Sequence, residues 1–221
     1  MIRSLVCALV AAWVVARPAP AAAEILDTTA VLRFPDFSLG AEVQGHLIDA
    51  RIHPRLNLHG GLGLAYGLEL YFRQGVGLLH GDSHFSAAGI KWQIIEHVHT
   101  ERKKRPGLAL WGGVHVRWAG RRSVVTDPGA DLSIALDYGF WKFRPYVGLD
   151  FDFDYVIDDE GDPNNPGDHF RFGTQVIAGC RFLVVRWLAF FAEASIGVGG
   201  YGPTYRHAHH LGAGIRFYID L

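Results

Sequence analysis

The segment HFSAAGI at residues 84–90 contains the pair of side chains best placed for nucleophilic chemistry. A histidine can act as general base toward a serine hydroxyl when a third group, commonly a carboxylate, orients the imidazole. His84 and Ser86 have the same parity as the apolar residues of this segment, so both are predicted to face the apolar side of a strand. The nearest acid downstream is Glu96. The alternative is that His84 and Ser86 simply begin a strand after a loop.

Two further groups offer metal-ligand chemistry. Histidines are common ligands of transition metals, and loop carboxylates are common ligands of Ca²⁺. The histidines are His97, His99, His207, His209 and His210, and the acids are Asp158, Asp159, Glu160, Asp162 and Asp168. The acids lack the regular spacing of a calcium loop, and solvated loop histidines are the commoner case. We therefore predict no metal site and no cofactor.

Alternation of apolar and polar residues recurs along most of the chain, and a period of two is typical of strands with two different faces. In RPYVGLDFDFDY (144–155), for example, Val147, Leu149, Phe151 and Phe153 alternate with glycine and aspartates. The other predicted strand segments are Phe37–Ile48, Ile52–Phe72, His84–Ile95, Gly107–Trp118, Asp131–Trp141, His169–Phe182, Trp187–Val198 and His210–Leu221.

The composition and the first 23 residues limit the classes of protein to which the chain can belong. The 221 residues include 27 glycines and one methionine, which disfavours a helical protein, and the net charge of −1 gives no indication of nucleic-acid binding. Residues 1–23 have a basic start, an apolar run and an RPAPAAA end, so they are predicted to be a secretory signal peptide cleaved after Ala23. Residues 24–221 then form one domain with the single cysteine Cys180.

The predicted strands often reach twelve residues, whereas strands of globular proteins usually have five or six. Twelve residues suffice to cross a bilayer when tilted. Short and long connections also alternate, with Gly120–Gly129 among the long ones. This alternation is typical of outer-membrane barrels, although His97–Pro106 is longer than a periplasmic turn should be. We predict an all-β fold: one closed, antiparallel, up-and-down transmembrane β-barrel of 8–10 strands, with ten favoured. Residues 24–36 are either an N-terminal extension or the first strand.

A soluble barrel would show the same alternation with the faces reversed. The polar faces here contain arginine, aspartate, histidine and glycine, with Lys91 almost the only lysine. Arginine and aspartate form rigid bidentate pairs that suit a confined interior. The predicted charge network of the lumen is Glu69, Arg117, Asp137, Arg144, Asp150, Asp152, Asp154, Arg171, Arg181, Glu193 and Arg216.

The last segment, HLGAGIRFYIDL (210–221), resembles the closing strand of small Gram-negative outer-membrane β-barrel proteins, in the broad sense of OmpA-like and porin-like barrels. Residues 169–198 resemble the penultimate hairpin of the same family. The resemblance implies location in the outer membrane, contact with its lipid and lipopolysaccharide, and recognition by the barrel-assembly machinery. The implied assembly signal is Gly214, Phe217, Ile219 and the terminal Leu221, where the family usually has Phe or Trp.

HFSAAGI also resembles the H-x-S-N-A-G-[IL] string of lipid A 3-O-deacylases, with His84 as base and Ser86 as nucleophile. Ala87 replaces the asparagine of that string, and the string lies mid-chain instead of near the end. A small barrel has little room for a pore once its side chains are placed. We therefore expect a non-catalytic structural or surface-recognition role, with a narrow channel for small solutes and a lipid A ester hydrolase as alternatives.

Overall fold

Strands form nearly all of the described structure. The computed structural model describes residues 32, 35–48, 51–78, 84–96, 98–99, 104–119, 124–140, 142–157, 169–201 and 209–219. The strands are β1 Phe37–Ile48, β2 Arg51–Gly63, β3 Leu68–Gly77, β4 His84–Ile95, β5 Val98–His99, β6 Lys104–Arg105, β7 Gly107–Ala119, β8 Val124–Asp137, β9 Phe143–Val156, β10 His169–Val185, β11 Leu188–Tyr201 and β12 His209–Ile219. Within these ranges the one helical element is a 3₁₀ turn at Ala65–Gly67. No helix in them is long and apolar enough to cross a membrane.

Ten of these strands close into an antiparallel barrel in the order β1-β12-β11-β10-β9-β8-β7-β4-β3-β2. Closure is made by β1, which pairs with β2 and β12, so that Phe37 lies opposite both Leu62 and Ile219. The predicted fold class and the favoured count of ten strands are confirmed. The first barrel strand begins at Phe37, and Leu32 is not part of a strand. The predicted signal peptide lies outside the described residues.

The barrel strands contain between 10 and 17 residues. A strand rises about 3.3 Å per residue, so twelve residues tilted by about 45° rise roughly 28 Å along the barrel axis. That height matches the hydrocarbon core of a bilayer, which is about 30 Å thick.

The two ends of the barrel differ in their connections. We call the end with connections 64–67, 138–142 and 186–187 the turn rim, and the end with connections 49–50, 78–83, 120–123, 157–168 and 202–208 the loop rim, which has the longest connection, 157–168. The segment 97–106, too long for a tight turn, lies at the turn rim. It contains the short hairpin β5–β6, which pairs only with itself and not with the barrel.

Two predicted boundaries were wrong. Ile52–Phe72, predicted as one strand segment, is divided by the 3₁₀ turn Ala65–Gly67 into β2 and β3. We expected a long loop at residues 120–129, but β8 begins at Val124. The sequence DPG at 127–129 suggests a turn, yet Pro128 lies opposite Val116 of β7, while the pairing of β8 with β9 starts only at Gly129. Proline is tolerated in a strand where one side needs no hydrogen bond. The β-branched Val124 and Val125 can therefore continue the strand along β7.

Along the barrel strands, the alternate residues that are mostly apolar face outward, and the mostly polar residues between them face the lumen. In β9, Val147 is 49% exposed and Leu149 is 40% exposed, whereas Asp150 and Asp154 are each 1% exposed. Similarly exposed side chains on the other strands include Ile90, Trp92, Leu132, Phe190 and Leu211. This is the reverse of a water-soluble barrel and is the surface expected of a transmembrane one.

Candidate functional site

The lumen is filled by charged and polar side chains. Buried charges are strongly destabilising unless they are paired and hydrogen-bonded, so the partners of each one matter. The buried polar residues that face one another across the lumen are Ser38, Glu42, Gln44, Arg55, Asn57, Glu69, Arg73, Lys91, His115, Arg117, Asp131, Ser133, Asp137, Asp150, Asp154, Gln175, Glu193, Ser195, His210 and Arg216.

A dense group of charges lies toward the loop rim, and we call it the loop-rim cluster: His115 and Arg117 of β7, Asp131 of β8, Asp152 and Asp154 of β9, and Arg171 of β10. Arg117 donates from Nη1 to Oδ2 of Asp154 over 2.7 Å and from Nη2 to Oδ2 of Asp152 over 3.0 Å. Arg171 donates from Nε to the same Asp154 oxygen over 3.0 Å. One guanidinium thus holds two carboxylates side by side.

His115 lies on the other side of these carboxylates. Its Nε2 is 2.8 Å from Oδ1 of Asp154 and 3.5 Å from Oδ1 of Asp152, and its Nδ1 is 3.7 Å from Oδ1 of Asp131. The imidazole reaches β9 by crossing β8 at Gly129, where a Cβ atom would lie 2.3 Å from Nε2. The absence of a side chain at Gly129 therefore permits this contact.

A second group lies toward the turn rim. Arg216 of β12 donates from Nη2 to Oε1 of Glu69 over 2.7 Å, and from Nε and Nη2 to Oγ of Ser38. The backbone N–H of Leu32 donates to the other oxygen of Glu69 over 3.0 Å. Gly61 lies beneath the pair, and a Cβ there would be 2.3 Å from the carboxylate. This ion pair links β12 to β3 across the two intervening strands at the closing seam.

A third group links β9 to β12 through mostly neutral partners. Tyr146 donates to Oε2 of Glu193 over 2.6 Å, crossing β10 at Gly179. Nε2 of His210 is 3.4 Å from Oε1 of Glu193, and Nδ1 of His210 is 2.5 Å from Oγ of Ser195. Ser195 also donates to Gln175 over 2.7 Å. The serine, histidine and glutamate are all buried among lumen side chains, so this chain of hydrogen bonds acts as structure.

The remaining predicted lumen residues occupy smaller contacts. Ser133 donates to Asp150 over 2.5 Å. Asp137 lies 3.9 Å from Arg144, close to the turn rim. Arg181 donates to the hydroxyl of Tyr218 over 2.8 Å. Each residue of the predicted network therefore lies on the lumen side of its strand.

Several residues that face the lumen were not among those predicted from the sequence. His115 was not predicted to belong to the lumen network. Tyr71 and Tyr146 were not included either, because that network was predicted from charged side chains. Tyr71 nevertheless donates to Asp131 over 3.0 Å, and the ammonium of Lys91 lies 4.8 Å from the ring centroid of Trp111. These residues could have been predicted to face the lumen, because each of them alternates along its strand with residues that face outward.

The expectation that His207, His209 and His210 are solvated loop histidines was wrong for His210. His210 lies in β12 with its side chain on the lumen side, 4% exposed, because β12 begins at His209. His99 lies in β5, while His97, His207 and the acids 158–168 are outside the described residues.

The geometry of His84 and Ser86 differs from that of a nucleophile and its base. Both have the parity of the exposed Ile90 and Trp92, as expected, but His84 is only 4% exposed, where β4 lies between Val76 of β3 and Trp118 of β7. Ser86 donates to Oε1 of Gln74 over 2.5 Å. Among the described residues, Nδ1 of His84 has no hydrogen-bond partner, so no carboxylate orients the ring there.

A cavity of about 60 Å³ remains in the lumen between these groups. Its charged lining comes from Glu42, Glu69, Arg73, Lys91 and Arg216, and Trp111 and Phe191 supply aromatic walls. A single water needs roughly 10–15 Å³ of such cavity volume, so this cavity has room for a few waters.

The proposed assembly residues lie on β12. Gly214 faces the lumen side, where a Cβ would be 2.3 Å from the carbonyl oxygen of Ala41. Phe217 and Ile219 face outward, and the ring of Phe217 stacks on Trp187 with centroids 6.3 Å apart. Leu221 lies outside the described residues.

Comparison with known proteins gives similarity at the level of the fold. No protein-family model matches the sequence, and no curated protein matches it. Among solved structures, the chain is similar to Neisserial surface protein A, with 13% identity, a TM-score of 0.39, and coverage of 82% of this chain and 95% of the other. It is also similar to the outer membrane protein OprG from Pseudomonas aeruginosa, with 10% identity, a TM-score of 0.37, and coverage of 88% and 100%. The NanC porin shares 11% identity, with a TM-score of 0.44 and coverage of 82% and 100%.

The closed ten-stranded barrel, its apolar exterior and its ionic lumen confirm the expected resemblance to small outer-membrane barrels in fold.

Proposed function

We propose that this protein is a non-catalytic barrel of the outer membrane whose lumen is closed, and which works as a scaffold for recognition at its loop rim. The observation that supports this most strongly is the packed lumen. Hydrogen-bonded polar and charged side chains occupy it from Arg181 and Tyr218 near the turn rim to Arg171 near the loop rim, and a cavity of about 60 Å³ lies between them.

The orientation follows from the connections. Outer-membrane barrels generally have short periplasmic turns and longer extracellular loops, so the loop rim would face the outside. The loops of up to twelve residues, as in 157–168, would then meet lipopolysaccharide and external partners. The predicted signal peptide would direct export, and Gly214, Phe217, Ile219 and Leu221 would be presented to the barrel-assembly machinery.

Planar-bilayer recording of the refolded protein tests the closed lumen. Folding is checked first by heat-modifiable migration on a gel, so that absence of current cannot result from an unfolded sample. We expect no unitary conductance steps in 1 M KCl. Regular steps in several independent preparations would overturn the proposal and favour the second candidate, a narrow channel.

The narrow channel is kept as a second candidate because the cavity is lined by charges of both signs, including Lys91, Arg73 and Glu69. If the lumen conducts, current must pass this point. Substitution Lys91→Glu would then change the preference between K⁺ and Cl⁻, whereas it would leave a closed barrel without current.

The lipid A ester hydrolase is disfavoured by the hydrogen bond from Ser86 to Gln74. Mass spectrometry of lipid A from cells that express the wild type or Ser86→Ala tests it directly. Identical spectra are expected, and loss of one acyl chain with the wild type alone would restore the hydrolase hypothesis.

A further inference from the structure

We propose that the loop-rim cluster binds one first-row divalent metal ion through Nε2 of His115 and the Oδ1 atoms of Asp152 and Asp154. Ligand atoms from these three residues lie within 4.8 Å of one another. They come from β7 and β9, two strands that both pair with β8, so the rigid barrel wall holds them in place.

The distances between the ligand atoms suit a common metal ion. Nε2 of His115 lies 2.8 Å from Oδ1 of Asp154 and 3.5 Å from Oδ1 of Asp152. Metal–ligand bonds of about 2.0–2.2 Å place neighbouring ligand atoms roughly 2.9–3.5 Å apart in octahedral or tetrahedral geometry. Small side-chain movements are therefore sufficient to coordinate an ion.

The surrounding residues orient the ligands. Arg117 holds the Oδ2 atoms of both aspartates, at 2.7 and 3.0 Å, and this turns both Oδ1 atoms toward His115. Asp131 lies 3.7 Å from Nδ1 of His115, on the side of the ring away from the other two aspartates. A carboxylate behind a ligating histidine is the usual outer-shell partner in metal sites, because it fixes the tautomer and the ring orientation.

Two ligand-bearing side chains have unused hydrogen-bonding capacity. The side chain of His115 is 2% exposed, and its Nδ1 has no hydrogen-bond partner among the described residues; the same holds for Oδ1 of Asp152. Buried polar atoms without a partner are rare in folded proteins and call for an explanation. A bound ion would engage Oδ1 of Asp152 directly and would draw Nδ1–H of His115 toward Asp131.

The local charge is compatible with a bound cation. The three aspartates of the cluster, at positions 131, 152 and 154, outnumber its two guanidiniums, Arg117 and Arg171, so the cluster carries a formal excess of one negative charge when His115 is neutral. Asp152 has 16% of its side chain exposed and Arg171 has 20%, which leaves a route from the loop rim.

The donor set selects the class of metal. Mg²⁺ and Ca²⁺ prefer all-oxygen sites, whereas a nitrogen ligand beside two carboxylates suits Zn²⁺ and neighbouring transition metals. Zn²⁺ is therefore the probe. It is titrated by calorimetry into refolded, untagged protein in detergent, after removal of metal with a chelator.

Three variants separate this site from histidines elsewhere. His115→Gln and Asp152→Asn each remove a ligand while conserving approximate shape. The matched control is His59→Gln, which removes a histidine that lines the lumen cavity and lies outside the cluster. We expect one Zn²⁺ per wild-type barrel, a weakening of at least about 10-fold in each ligand variant, and unchanged binding in His59→Gln. Ca²⁺ should not compete. Every sample must show heat-modifiable migration before titration.

Two results would overturn the proposal. The first is equal Zn²⁺ binding by the wild type and His115→Gln, which would assign the ion to other histidines. The second is no Zn²⁺ binding by folded wild type, which would leave the cluster as a network balanced by protons only.

Discussion

The ion pair between Glu69 and Arg216 gives the sharpest prediction for stability. The pair is 2.7 Å long, and its side chains are 2% and 7% exposed, so bulk water screens the pair little. Glu69→Ala would remove the carboxylate that pairs with the guanidinium of Arg216 and leave the uncharged hydroxyl of Ser38 as an acceptor, and an arginine cannot lose its proton. Removing one partner of a buried pair typically costs about 3–5 kcal/mol, and we expect a loss of that size.

The reverse substitution should cost less. In Arg216→Ala the carboxyl of Glu69 keeps the hydrogen bond from the N–H of Leu32, so we expect a loss of about 1–3 kcal/mol. The double variant should be less destabilised than the sum of the two by about 2–3 kcal/mol, which is the upper range for residues in direct contact. Arg186→Ala, at an exposed turn, is the control and should change stability by less than about 0.5 kcal/mol.

The assay is urea unfolding of the barrel in lipid vesicles, followed by tryptophan fluorescence and by gel migration. Equilibrium is checked from the folded and unfolded directions. If the single losses add to within about 0.5 kcal/mol in the double variant, the two side chains do not interact and the account of the closing seam is wrong.

Three further predictions concern the outer surface, the lumen and the closing strand. Val147→Arg, on the outward face within β9, should cost about 2–4 kcal/mol in vesicles, whereas Tyr155→Arg near the loop rim should cost at most about 1 kcal/mol; equal costs would contradict the assigned surface. Tyr146→Phe removes the hydrogen bond to Glu193 and should cost about 1–3 kcal/mol in the same urea assay, with no change indicating that the bond is absent. Gly214→Ala places a Cβ about 2.3 Å from a backbone oxygen of β1, so purified protein should refold poorly even without assembly machinery, as judged by gel migration; normal refolding would contradict this contact.

Much of the fold could be predicted, because each barrel strand has one face toward the lumen and one toward the outside. This determines which alternate residues are polar and which are apolar. The bounds of β1 and β4 agree with the predicted segments to the residue. The start of β8 could not be predicted, because DPG favours a turn locally and only the absence of a β9 partner at Pro128 makes the strand possible.

The sequence predicts which side chains face the lumen, but not which of them contact one another. Parity placed Glu69 and Arg216 inside, but they are 147 residues apart, and their contact depends on the register of four strands and on the space above Gly61. His115 was missed for a related reason. A single histidine between two valines has no local signal, and its role arises from Gly129 on the neighbouring strand and aspartates one strand farther.

The central claim is that the apolar face of the strands meets lipid while the charges face inward. Spin labels introduced one at a time into a Cys180→Ser background test it in vesicles, through collisions with oxygen, which is enriched in lipid, and with a water-soluble nickel chelate. We predict that labels at Leu149 and Phe153 collide mainly with oxygen and that labels at Gly148 and Asp152 are shielded from oxygen, a period of two along β9. Preferential collision with the chelate at Leu149 and Phe153, or the loss of that period, would contradict the claim.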